Sequence, residues 1–285
     1  MRSGADASVC QFIAAPLADN GPDSCDVLRR CEMLQKQRRS ITSGLDKLKL
    51  RTSPISIPAE SIWLDGTLSH APDVRGLVLV LQAGANPIIH KRQALIAGVL
   101  QGAGFATLAL DLLTHYEELH DLDASFNVAR LTDRLLAADD WIEHQPPLAS
   151  LPVGLLAFGT ASAAIVRAAA KKPERFGALA CLAGRPDLAG AGPLRTLTAP
   201  TLFVVGHEDP GIAILRQAFE LMTTVRDWRA TRGGEIEQVA ADDLKQSAEL
   251  ATDWMLRKMP PRQDHIRNEL EFDLTEDQAP LQDKT

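Results

Sequence analysis

The side chains that could do chemistry fall into a few places. Between residues 115 and 123 stand His115, Glu117, Glu118, His120, Asp121 and Asp123, whose composition would suit a divalent metal. His115 and His120 are five residues apart, so a helix would point them away from one another, and the stretch reads as an exposed acidic loop. The four cysteines, Cys10, Cys25, Cys31 and Cys181, include no C-x-x-C pair, and Cys181 reads as a small core residue. Gly102-Ala103-Gly104 leads into an apolar run instead of opening a helix, which makes it a turn and not a phosphate cradle. Thr160 and Ser162 lie among small residues after another apolar run. There a hydroxyl can serve as a nucleophile, a helix cap or a packing group. None of these patterns calls for a cofactor or a metal.

The 285-residue chain is 45% hydrophobic, 24% charged and 5% aromatic, enough for one sizeable core with appendages. A net charge of -7 argues against a bulk electrostatic grip on nucleic acid or an anionic membrane. The longest apolar runs are too short to span a bilayer, and the first residues lack a signal-peptide pattern. With no disulfide framework, a reducing cytoplasm is the expected location.

Three regions must position these side chains. Residues 1–53 combine Val27, Leu28, Cys31 and Leu34 at helical spacing with an excess of Arg and Lys, which predicts a partly helical basic arm. From 54 to 259, aliphatic runs alternate with amphipathic stretches, the pattern of parallel strands covered by helices on both faces. Strands are expected at 76–81, 106–110, 153–158, 178–182 and 201–205, preceded by an antiparallel hairpin at 55–68 turning at Asp65-Gly66. Helical stripes run through Val128, Leu131, Leu135 and Ile142, through Ile212, Leu215, Phe219 and Met222, and through Leu244, Ala248, Ala251 and Met255. Pro260 and Pro261 end the last helix, and residues 260–285 read as an acidic, mobile tail.

This order resembles the α/β-hydrolase fold: an antiparallel opening, then a mostly parallel sheet with helices on both faces. The segments RGLVL (75–79), AGFATLALDLLT (103–114), GRPDLAG (184–190) and APTLFVVG (199–206) look like the dienelactone-hydrolase-related branch. Within it, the likeness is to small hydrolases associated with phosphoribosyltransferases. The resemblance covers about residues 55–259 and specifies a fold better than an activity.

The resemblance implies a nucleophile on the G-x-S-x-G elbow after the central strand, where this chain has Ala157-Phe158-Gly159-Thr160-Ala161. Gly159 occupies the nucleophile's place and has no side chain with which to attack. Asp209 matches the family's acid position, and its alternative role is to cap the helix that follows Pro210-Gly211. The general base should come from the loop before the last helix, yet no histidine stands between His207 and His265. Gln82-Ala83-Gly84-Ala85 replaces the family's usual His-Gly in the oxyanion loop.

These departures predict a degenerate α/β-hydrolase, a pseudo-hydrolase retained for binding, assembly or regulation, with no cofactor. One alternative is an active carboxylic ester or lactone hydrolase using Ser162 or Thr160, paired with His207 or His90. Another is an adaptor that grips an acidic partner through the basic arm. A protein partner could dock on the arm or the acidic tail, and the fold class admits a homodimer.

Overall fold

The aliphatic runs form the middle of one eight-stranded sheet in the computed structural model, which describes residues 50–84, 87–232 and 241–259. All belong to one unit of the chain, Leu48–Thr285. The strands are β1 (Arg51–Ala59), β2 (Ile62–His70), β3 (Leu77–Gln82), β4 (Ala106–Asp111), β5 (Val153–Gly159), β6 (Phe176–Gly184), β7 (Thr201–Gly206) and β8 (Arg226–Thr231). Their order across the sheet is β1-β2-β4-β3-β5-β6-β7-β8. β1 and β2 pair antiparallel, as do β2 and β4, and every pairing beyond β4 is parallel. The expected α/β-hydrolase architecture is therefore present.

Central strands covered on both faces read as unbroken aliphatic runs, and β3 shows why. Leu77, Leu79 and Leu81 enter one core, and Val78 and Val80 enter the other. α1 (Pro87–Gly102) contributes Ile96 and Leu100 to the second core. On the opposite face lie α3 (Val128–Glu143), α4 (Ala161–Lys171), α5 (Ala191–Thr196) and α6 (Ile212–Leu221), after the short α2 (His115–His120). α7 (Ala241–Lys258) joins α1 through Leu244, Ala248, Ala251 and Met255, the stripe expected from its spacing. No helix among the described residues is long and apolar enough to cross a membrane.

Four local expectations need correction. The hairpin turns at Glu60-Ser61, with Glu60 at φ 53, and Asp65-Gly66 lies inside β2 opposite Ile55 and Ser56. Gly66 is small because β4 passes close by: a Cβ there would lie 2.8 Å from Ala109 O. β1 starts at Arg51, so residues 51–53 are part of the sheet and not of an arm. β8 is not among the expected strands, because Arg226, Asp227 and Arg229 mask the pattern of a strand that, among the described residues, pairs only with β7. Residues 115–120 form helix α2 instead of a loop, since Thr114 and Glu117 make a capping box. The rest of the basic arm (1–49), the acidic tail (260–285) and residues 233–240 lie outside the described residues.

Candidate functional site

β5 ends at Gly159, and α4 begins two residues later at Ala161. So abrupt a passage from strand to helix needs a residue in the left-handed region, and Gly159 adopts φ 50. Glycine does so without the clash between Cβ and carbonyl oxygen that costs other residues about 1–2 kcal/mol. The elbow shape is thus kept by the residue that lacks an elbow side chain. A Cβ built on Gly159 would meet nothing within 4 Å, so the direction in which a nucleophile would project is open. Ala157 and Ala161 flank it, both fully buried, and the Arg185 backbone N–H donates to Gly159 O at 2.8 Å.

The two neighbouring hydroxyls are placed differently from an elbow side chain. Ser162 is fully buried, and its Oγ donates to Ala157 O at 3.1 Å, closing the turn onto the strand. It packs against the end of β6 so tightly that a Cβ on Gly184 would run into the Ser162 hydroxyl. Thr160 precedes α4 with helical φ and ψ of -69° and -23°, and its side chain makes no capping hydrogen bond. Cys181 is buried in β6, where burial pushes its thiol up to about 12 against the opposing pull of a Ser162 hydrogen bond. It is a protonated core thiol at neutral pH.

Asp209 follows β7, as the acid position requires, but its Oδ1 accepts the Gly211 N–H at 2.7 Å and its backbone oxygen accepts that of Ile212 at 3.2 Å. It thereby closes the turn that starts α6. His207 is exposed, with Nδ1 donating to Thr231 O at 3.1 Å and Nε2 lying 3.7 Å from Glu208. At the end of β3, where an oxyanion loop begins, the buried Gln82 Nε2 has no hydrogen-bond partner among the described residues. Residues 233–238, in the loop from which a general base would come, and His265 lie outside the described residues.

The structure also joins groups that the linear sequence leaves apart. His90, in the first turn of α1, places Nε2 2.7 Å from Asp111 Oδ2 at the end of β4, and Gln93 Nε2 donates to Asp111 Oδ1 at 3.2 Å. Burial raises the Asp111 carboxyl above its ordinary range, although the His90 and Gln93 contacts oppose the shift. The available signal was the helical spacing of His90, Gln93, Ala94, Ala97 and Gln101, which continues one face of α1. Farther along, the Arg134 side chain is only 2% exposed and donates to Leu112 O and to both oxygens of Glu117. Those bonds from Arg134 hold the Glu117 carboxyl down at about 2 and fix the segment that follows β4. Glu117 is therefore engaged in structure and is not an exposed member of a metal-binding set.

Comparison with known proteins follows the same lines. No protein-family model matches the chain. Two Mycobacterium tuberculosis proteins, provisionally named as phosphoribosyl transferases, are 33% identical over 208 residues, or 73% of this chain. The chain spans about half the length of these curated relatives, 46%. The crystal structure of a dienelactone hydrolase from Anabaena variabilis is 32% identical and superposes with a TM-score of 0.68, covering 74% of this chain and 100% of that one. Est1E from Butyrivibrio proteoclasticus shares the fold at 13% identity and a TM-score of 0.60, over 72% of this chain and 98% of its own.

Proposed function

The chain belongs to the dienelactone-hydrolase-related branch of the α/β-hydrolase superfamily, and on that premise we propose that it is a pseudo-hydrolase whose scaffold serves binding, assembly or regulation. Gly159 carries this reading. Covalent ester hydrolysis on this fold needs an attacking group at the elbow and an imidazole to take and return its proton. The elbow here has its backbone shape and open space in the Cβ direction, yet it bears a hydrogen atom. The engagement of two other candidates, Ser162 and Asp209, supports the same reading. Ser162 is buried and bonded to a carbonyl, and Asp209 is bonded to the Gly211 N–H. The sequence between His207 and His265 offers no imidazole.

Without nucleophile and base, a site of this kind retains only the weak acceleration that binding and an oxyanion hole provide. The test is turnover of p-nitrophenyl acetate by the full chain, beside Gly159→Ala and an albumin control. Wild-type and variant rates should coincide with the control, and Gly159→Ser alone should add nothing. A wild-type rate about 100-fold above albumin, the usual contribution of a positioned base, would overturn the reading. So would fluorophosphonate labelling that disappears in Ser162→Ala.

A further inference from the structure

Beyond the elbow, on the other side of β3 from β5, the face of the sheet that α1 and α7 cover changes character. From β3 to β7 it is aliphatic, with Val78, Val80, Leu156, Leu202 and Val204 in one core. On β4 and β2 the same face carries Thr107, Ala109 and Asp111, then Asp65, Thr67 and Ser69, each set at the two-residue spacing of one strand face. α1 meets this strip with small and polar residues, and the cleft between them is a half-open cavity of about 510 Å³. That size is ordinary for a small-molecule site. Ser69, Gln93, Thr107 and Asp111 are buried polar residues in its wall. A hydrophobic core gains nothing from such groups.

We propose that this cavity between α1 and the β1–β2 hairpin binds a small alkylamine or diamine, recognised by the Asp65 carboxylate and the His90 imidazole. The wall contains two carboxylates, Asp65 and Asp111, and no lysine or arginine, which disfavours an anion. It contains no aromatic ring other than the His90 imidazole, so a sugar would find no broad stacking platform. Asp111 is already engaged by His90 and Gln93, and no group of three or more metal donors occurs among the described residues. What remains on Asp65 and His90 is acceptor capacity. A neutral imidazole that donates from Nε2 to Asp111 presents Nδ1 as a lone pair. Asp65 uses Oδ1 for the Ser56 hydroxyl, which leaves Oδ2 for a ligand donor. An ammonium group has three donors and a positive charge, and so complements both. The Asp111 carboxylate holds the imidazole in the orientation and tautomer that expose the acceptor.

The experiment is isothermal titration of the full chain with putrescine, butanediol and succinate at low salt. Putrescine should saturate at one equivalent, the neutral diol should bind at least about tenfold more weakly, which is about 1.4 kcal/mol, and succinate should give no saturable heat. Asp65→Asn removes one recognition charge, and Ala94→Trp fills the mouth of the cavity; both positions are exposed, so the fold should survive. Each should weaken putrescine about tenfold with an unchanged melting temperature. Absence of saturable putrescine binding, or equal binding by wild type and both variants, would overturn the proposal. Equal binding would mark a general attraction of amines to an acidic surface. Neither outcome bears on ester turnover at the elbow.

Discussion

At Gly159 one residue type meets two demands at once, since it accepts φ 50 and leaves the space ahead of the elbow open. Gly159→Ala should lower stability by about 1–2 kcal/mol, measured by urea unfolding, because the backbone is strained although the new Cβ meets no neighbour. Gly184 makes the opposite case. Its φ is not positive, but a Cβ there would collide with the buried Ser162 side chain. Gly184→Ala should therefore cost about 1–3 kcal/mol through overpacking. The pair separates strain in the chain from lack of room: Gly184→Ala should disturb the near-ultraviolet spectrum of the packed core and Gly159→Ala should leave it intact, and an intact spectrum in both variants would count against that distinction.

Among the elements, α2 is held less by its own six residues than by α3 beneath it. No residue of α2 is fully buried, yet Glu117 caps its first turn and accepts from the buried Arg134 of α3. Glu117→Gln should destabilise the fold by about 1.5–3 kcal/mol, the range for hydrogen bonds to charged groups. The pH dependence has a definite sign. The folded carboxyl titrates at about 2, below its ordinary 4.5, so its contribution is fully present above about 4.5 and fades as the pH falls toward 2. Urea midpoints of wild type and Glu117→Gln should differ most at pH 6 and converge in acid. A second tie joins α3 to the turn after α4, where Asp139, wholly buried, accepts from Lys172 and Arg175. Burial alone would lower Lys172, but the bonds to Asp140 and Asp139 raise it.

For the molecule as a whole, the described sheet has two edges, β1 and β8, where another strand could add. Every residue of β1 pairs with β2, and among the described residues no strand pairs on its other side. Pro54 and Pro58 lack N–H groups, and their shared parity removes donors from the same side of the strand. β8, at the far edge, carries Arg226, Asp227 and Arg229, charges that discourage further pairing. A dimer built by continuing the sheet across β1 is therefore disfavoured. Pro54→Thr with Pro58→Thr should raise association measurably in light scattering while leaving the wild-type chain as the less associated of the two. The reverse ranking would show that the prolines do not guard that edge.

Much of this was legible in the linear chain. The aliphatic runs located five strands to within a residue or two, because burial on both faces leaves a local imprint. The stripes through Val128 and Leu244 marked α3 and α7 for the same reason. That Gly159 has no attacking group is a covalent fact, independent of folding. Tertiary structure decided what depends on neighbours distant in sequence. The hairpin turn moved to Glu60-Ser61 once β2 had to pair with β4, and the burial of Ser162 depends on Gly184. The contact between His90 and Asp111 exists because the chain passes from β3 through α1 to β4 and lays the helix across the strand it leads into. Periodicity reports which face of an element is buried, but only the packed sheet determines what that face meets.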